Sequence, residues 1–381
     1  MSCSQDSLQK DAEKRVGLNV LVVTGASGGH IFPAVSFMDS FMLRYPESRM
    51  LLLLPRKNAA GNLQGFRHPV HYGDMPSLRL RFNRTTVYGL GRFCVAFWQS
   101  VRLVIRFRPD LVVGFGTLAC VPVFFTAWLF RIKTLLHEQN VVPGKANKVL
   151  AVFADAIAVS FEKTRTFWNA YLRKTEVTGN PLRKSLIPQD KGSSRESFGL
   201  AQDCFTILAV GGSQASKAVN AVLLQAARIL KEKKLTFQIV HLAGHSDAGH
   251  LRVAYAQYGI PACVLDFCDH MERAYSAADC AVTRAGATTV SELIHFALPA
   301  IVIPYPYAHA HQSANASVLS EAGAGVVFEE KIVNPEMLAG SLERMIIDRA
   351  GLFAMAKAAR CLESGDASDK LVAYAMRTVT C

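Results

Sequence analysis

The sequence predicts an α/β protein built from two doubly wound parallel-sheet domains. Short β-rich apolar runs recur along the chain, each followed by a Gly-containing turn and a helical stretch. They form two sets, separated near Gly179-Asn180-Pro181, where a Gly and a Pro interrupt the pattern after Val177. The chain has 381 residues, of which 50% are apolar, enough for two ordinary cores and too many for a disordered polymer.

In chain order, residues 1–17 mix acids with bases and lack an apolar centre, so they read as a flexible extension and not as a signal peptide. Strands are expected at Asn19–Thr24, Met50–Leu54, Leu111–Gly114, Lys133–His137 and Ala156–Val159, and then at Phe205–Val210, Phe237–His241, Ala262–Leu265, Cys280–Thr283 and Ala300–Ile303. Such alternation implies parallel sheets covered by helices, with ligands at the carboxyl ends of the strands. Apolar spacing between Phe93 and Ile105 is mostly helical. The stretch Leu111–Phe130 runs 20 residues without a charge, the length of a membrane span. Its Gly114, Gly116 and Pro122, and the rhythm of its neighbours, favour a strand, a glycine turn and a helix. Pro188–Arg195 reads as a charged surface loop.

The net charge of +12 is concentrated between Arg79 and Arg108, where arginines at 79, 81, 84, 92, 102, 106 and 108 alternate with residues such as Phe97, Trp98 and Ile105. Two readings fit: an amphipathic helix with its stripe in the core, or a basic aromatic face for an anionic membrane. Nucleic acid is not expected, because the aromatics belong to no recognisable binding module. Nine cysteines form no C-x-x-C pair, lie mostly in apolar runs and read as buried thiols in a reducing compartment.

Five constellations could carry chemistry. Gly25-Ala26-Ser27-Gly28-Gly29-His30 follows the first strand and opens a helix with Pro33 in its first turn. It matches neither the Lys-Ser/Thr phosphate loop nor G-x-G-x-x-G, and His30 offers a base or a hydrogen bond to a substrate oxygen. Gly211-Gly212-Ser213-Gln214 is its counterpart in the second set; Ser213 suits a phosphate oxygen or a helix cap. His137-Glu138-Gln139-Asn140 reads as a polar loop after a strand, since one His and one Glu are too few for a metal site. In Gly179-Asn180-Pro181-Leu182-Arg183, Arg183 suits a phosphate or a surface salt bridge. The strongest stretch runs from Asp279 to Asn315. A helix opening with Ala287, Thr288, Thr289, Val290 and Ser291 offers backbone amides, hydroxyls and a positive dipole end to a diphosphate, and Glu292 suits ribose hydroxyls.

Together GASGGH, LHEQNVVPGKANK, TGNPLR, VGGSQ, FCDHMERAYSAADCAVTRAGATTVSE and HQSANA form an ordered series over about residues 18 to 330. The series resembles the MurG family, the lipid II-forming N-acetylglucosaminyltransferases of bacterial peptidoglycan synthesis. The resemblance implies the GT-B architecture: two Rossmann-like domains facing a cleft, an acceptor and membrane-side domain at 18–178, a UDP-sugar domain at 179–349, and a C-terminal helix at about 350–381 returning to the first. It also implies inverting transfer of N-acetylglucosamine from UDP-N-acetylglucosamine to the muramoyl 4-hydroxyl of lipid I, with no cofactor and no metal, consistent with the lack of an Asp-x-Asp triplet here.

Carried over by position, the resemblance implies donor contacts at Ser27, Gly28, Gly29 and Asn140, room at Gly28 and Gly29 for the acceptor diphosphate to come near, and diphosphate contacts at Arg183 and Ser213. It puts backbone at Cys268 beside uracil, the diphosphate and ribose element at Ala287 through Glu292, and Gln312 on the sugar. His30 becomes the catalytic residue, as base or as orienter of the acceptor hydroxyl. Peripheral docking to the anionic cytoplasmic face of the cell membrane gives the 79–108 patch a purpose, and cell-wall synthesis proteins become conceivable partners. The chain departs from the family at Ala26, Ser27 and Ala215, all small-for-small changes, and more deeply at Gly116-Thr117-Leu118-Ala119-Cys120, where a Gly-Gly-Tyr-x-Ser-type loop is usual near the acceptor.

Overall fold

A computed structural model describes residues 17–55, 68–73, 84–211, 216–308 and 310–380, the side chains of 84–92 excepted. The chain divides into two units, residues 1–183 with 364–381, and residues 184–363.

The first unit contains β1 (Asn19–Val23), α1 (Gly28–Arg44), β2 (Arg49–Pro55), β3 (Val70–Gly73), α2 (Arg84–Phe107), β4 (Leu111–Gly114), α3 (Cys120–Leu129), β5 (Lys133–Glu138), α4 (Lys145–Phe153), β6 (Ala156–Val159), a 3-10 segment (Glu162–Lys174) and β7 (Thr175–Val177). Its seven strands are ordered β3-β2-β1-β4-β5-β6-β7, and all pair in parallel. Alternation along β1 divides the core: Val20 and Val22 pack with Phe37 and Phe41 of α1, while Leu21 and Val23 pack with Val123 and Phe124 of α3. Both faces of the sheet are covered, which is why the central strands read as continuous apolar runs.

The second unit contains α5 (Lys191–Glu196), β8 (Phe205–Val210), α6 (Lys217–Glu232), β9 (Phe237–Leu242), α7 (Ala248–Gln257), β10 (Ala262–Leu265), α8 (Met271–Ala277), β11 (Cys280–Thr283), α9 (Ala287–His295), β12 (Ala300–Val302), α10 (His311–Glu321), β13 (Gly325–Val327), α11 (Pro335–Ile347) and α12 (Arg349–Cys361). Its six parallel strands are ordered β10-β9-β8-β11-β12-β13. Strand order reverses beside β1 in one sheet and beside β8 in the other. Ligand crevices of doubly wound sheets open at such points.

The ten expected strands are present within a residue or two of their expected ends. Three short strands, β3, β7 and β13, escape the sequence because they are edge strands of three or four residues with no long apolar run. Leu111–Phe130 resolves into β4, a turn and α3. Among the described residues no helix is long and apolar enough to cross a membrane.

Three expectations change. Pro188–Arg195 is not simply a surface loop, because Asp190 caps α5 by accepting from the Ser193 amide and buried Arg195 pairs with Asp279 at 2.6 Å while donating to the Ala277 carbonyl. The closing helix is two helices: α12 belongs to the second unit, and α13 (Ala367–Thr380) to the first, whose core receives Leu371, Val372 and Ala375. Nor are the cysteines uniformly buried: Cys120, Cys268 and Cys280 are, whereas Cys94 and Cys361 are exposed.

Candidate functional site

In the first unit, β1 feeds a turn that opens α1 with Ser27 at its N-cap, in extended backbone and with no side-chain capping bond. The amides of His30 and Ile31 both reach the Ser27 carbonyl. The amides of Gly28 and Gly29 thus precede the helical ladder at its positive end. A Cβ on Gly29 would meet nothing within 4 Å, whereas one on Gly25 would come within 2.5 Å of the Thr117 methyl. Thr117 itself has φ of 75°, a left-handed backbone that costs a β-branched residue strain. The departing loop at 116–120 therefore lies directly against the glycine turn.

His30 Nδ1 lies 2.8 Å from the Phe115 carbonyl. That oxygen can only accept, so Nδ1 carries the hydrogen and Nε2 keeps its lone pair. Burial of the ring lowers the His30 pKa, against the opposing pull of the Phe115 carbonyl, the Glu138 charge and Gln139. The residue as a whole is half-buried. Gln139 Nε2 donates to the same carbonyl at 3.2 Å.

His137, Glu138 and Gln139 do not form the expected polar loop, because all three are buried. The Glu138 carboxylate accepts from the Asn140 amide and Nδ2 at 2.9 and 3.2 Å, from the Gly144 amide at 3.0 Å and from Asn147 Nδ2 at 2.6 Å. Four N–H groups offset the cost of burying this anion. Asn140 is drawn into this network from its half-buried position. Arg183 stacks its guanidinium over the Phe32 ring at 4.8 Å. It belongs to the first unit, and Phe32 lies one helical turn on from Gly28 in α1.

In the second unit Gly286 caps α9 in extended backbone, and the first turn contains no acidic residue. A glycine cap has no side-chain oxygen to occupy the leading amides. Thr288, Thr289 and Ser291 are half-buried, and Ala287 is buried. Ser291 Oγ donates to the Ala287 carbonyl. Val290 faces the core with its amide bonded to Gly286, so it anchors the helix start and presents nothing outward. Glu292, buried at 8% exposure, accepts at Oε2 from the Tyr275 hydroxyl at 2.7 Å. Gln312 Oε1 accepts from the amides of Ala285 at 3.2 Å and Tyr305 at 2.8 Å, tying the loops after β11 and β12. Cys268 is buried, its thiol pKa raised chiefly by burial, and the neighbouring Phe267 is exposed. Ser213 lies outside the described residues.

The sequence reading passes over Arg284. This buried residue donates to the Ile303 carbonyl at 3.0 Å and to Ser216 Oγ at 2.6 Å, pairs with Glu330, and lies 5.5 Å from the Tyr305 ring. It fixes the loop that aims α9. The signal available was an arginine inside the otherwise apolar run CAVTRAGA. Tyr275 was also missed, as an aromatic in a short helix that carries no mark of its distant partner.

The N-terminal domain of glycosyltransferase family 28 matches residues 20–159, and the C-terminal domain of that family matches residues 206–371. The UDP-N-acetylglucosamine--N-acetylmuramyl-(pentapeptide) pyrophosphoryl-undecaprenol N-acetylglucosamine transferase of Geobacter sulfurreducens is 34% identical, over 93% of this chain and 97% of its own. The protein of the same name from Nitrosococcus oceani is also 34% identical, with the same coverage. Among solved structures, MurG of Acinetobacter baumannii superposes with a TM-score of 0.75 at 26% identity, over 94% of this chain and 99% of its own. A putative UDP-N-acetylglucosamine 2-epimerase from Listeria monocytogenes, at TM-score 0.70 and 12% identity over 94% of this chain and 95% of its own, shares the fold.

Proposed function

This chain belongs to glycosyltransferase family 28, and from that premise we propose that it transfers N-acetylglucosamine from UDP-N-acetylglucosamine to the muramoyl 4-hydroxyl of undecaprenyl-diphospho-MurNAc-pentapeptide, giving lipid II and UDP. The observation that carries the reading is α9, whose glycine-capped first turn is followed by the buried carboxylate of Glu292. A helix start of this kind is suited to a diphosphate, and a carboxylate one turn on is suited to ribose hydroxyls. The near-full-length likeness to relatives named for this reaction supports the acceptor.

The donor elements are α9, Gln312 and the backbone at Cys268, with Ser213 from the second glycine turn. The first unit supplies His30, Ser27, Gly28, Gly29, Asn140 and Arg183. In the reaction the acceptor oxygen bonds to the anomeric carbon as the bond from that carbon to the UDP oxygen breaks, inverting the centre. His30 Nε2 takes the hydroxyl proton, and its neutral state follows from the Phe115 bond and from burial. The charge that grows on departing UDP is met by the first turn of α9.

The same reading places the protein at a membrane surface, because its acceptor is lipid-linked. α2 exposes Val95, Trp98 and Ile105 beside exposed Arg102 and Arg106, and α3 ends in exposed Trp128 and Leu129. The two helices adjoin through Phe97 and Phe125, whose rings are 5.6 Å apart. Apolar and aromatic side chains ringed by arginine suit an anionic leaflet. Arg79 and Arg81 lie outside the described residues.

The test is turnover of purified protein with UDP-N-acetylglucosamine and a lipid I analogue. Wild type is expected to form a lipid II-like product. His30→Ala should lower kcat by ~10²–10⁴-fold, and Glu292→Ala should raise the donor KM by roughly tenfold with less effect on kcat. Turnover on diacylglycerol without a lipid II-like product, or UDP binding with no transfer to any lipid, would overturn the proposal.

A further inference from the structure

We infer that Tyr275 is a positioning residue for nucleotide recognition, acting through Glu292 and resting on the reading of Glu292 as the ribose contact. Tyr275 lies in α8, and its hydroxyl crosses to α9 to donate to Glu292 Oε2 at 2.7 Å, with both residues buried. A phenol bound to a carboxylate at that distance makes a charge-assisted hydrogen bond. The ring is fixed as well: it stacks on Phe296, the C-cap residue of α9, with centroids 5.0 Å apart and planes at 28°. One tyrosine is thus held by two residues of α9, its oxygen at Glu292 and its ring at Phe296, so it can rotate away from neither.

A glutamate at the end of three rotatable bonds loses side-chain entropy when it is fixed for a ligand. Tyr275 fixes it beforehand, so the carboxylate meets the ribose already aimed. α8 begins three residues after Cys268, the proposed uracil contact. The helix that follows the base contact therefore also sets the sugar contact, and the nucleoside is read as one unit.

The experiment is calorimetric titration of UDP and of 2′,3′-dideoxy-UDP into wild type, Tyr275→Phe and Glu292→Gln, alongside donor KM and kcat. Tyr275→Phe keeps the ring and its stack, so the melting temperature should hold near that of wild type. UDP affinity should fall roughly tenfold, the size of one charge-assisted bond. Dideoxy-UDP affinity and kcat at saturating donor should stay unchanged, and Tyr275→Phe should cost nothing further in the Glu292→Gln background. A loss of equal size for both nucleotides, or none for UDP, overturns the positioning role while leaving the ribose reading intact. If Glu292→Gln binds both nucleotides as wild type does, the ribose reading itself falls and takes the inference with it.

Discussion

His137 and His241 are neutral in the folded protein. Burial lowers each from 6.5 to about 4. His137 Nε2 lies 3.0 Å from the Gly179 carbonyl while its Nδ1 is buried without a partner among the described residues, and His241 sits between the Tyr255 hydroxyl and Asn220 Oδ1 at 3.0 Å each. The unfolded chain binds a proton near the ordinary value, so the stability tied to these rings is fully present above pH 6.5 and lost as pH falls toward about 4. Each proton taken up on unfolding adds a slope of about 1.4 kcal/mol per pH unit. Urea unfolding across that window should show stability falling, and His241→Gln should flatten the slope for the second unit; an unchanged slope would contradict the neutral ring. At this scale the placement of His30 at a helix start and of Glu292 inside α9 was legible, because glycine turns after apolar strands mark where both helices open. Arg284, Tyr275 and the environment of Glu138 were not, because their roles rest on partners such as Ser216, Glu330 and Asn147, which only the folded chain brings near.

Glycines of the first turn differ in what surrounds them, and the difference separates fold from function. Gly29 faces open space, so Gly29→Ala should leave stability unchanged or raise it by up to ~1 kcal/mol, since alanine favours the helix. The added methyl would nevertheless occupy the approach to the leading amides, and acceptor KM should rise several-fold. Gly25→Ala must instead displace Thr117, whose methyl would stand 2.5 Å away, and should lower the melting temperature. Steady-state kinetics with thermal melts check both, and a Gly29→Ala enzyme with wild-type kinetics would remove the turn from the site. Central elements were readable because strands covered on both faces need unbroken apolar runs. Edge strands such as β3, with exposed His71 and Tyr72, need none and left no trace. α5 was missed because it is short and held by Arg195 and Asp279, 84 positions apart.

The whole molecule carries a net charge of +12, and the proposed membrane face places exposed Trp98 and Trp128 beside arginines. Sedimentation with vesicles of ~30% anionic lipid should fall as salt rises from about 0.05 to 0.5 M. The double variant Trp98→Glu with Trp128→Glu should lose vesicle binding while keeping its UDP affinity; binding indifferent to salt, lipid charge and both substitutions would refute the docking face. The second unit is contiguous, whereas the first is not: α13 packs on α1 and β5, donates from Tyr374 to the Lys174 carbonyl at 2.8 Å and fills the core with Leu371, Val372 and Ala375. Synthesis on the ribosome therefore begins one body, makes the other completely, and only then delivers the helix that closes the first. Residues 184–363 take roughly 9–36 s to translate at ~5–20 residues per second. For that interval the nascent first unit shows the apolar strip that Leu371, Val372 and Ala375 will cover, a surface that exists during birth and vanishes when the last helix docks.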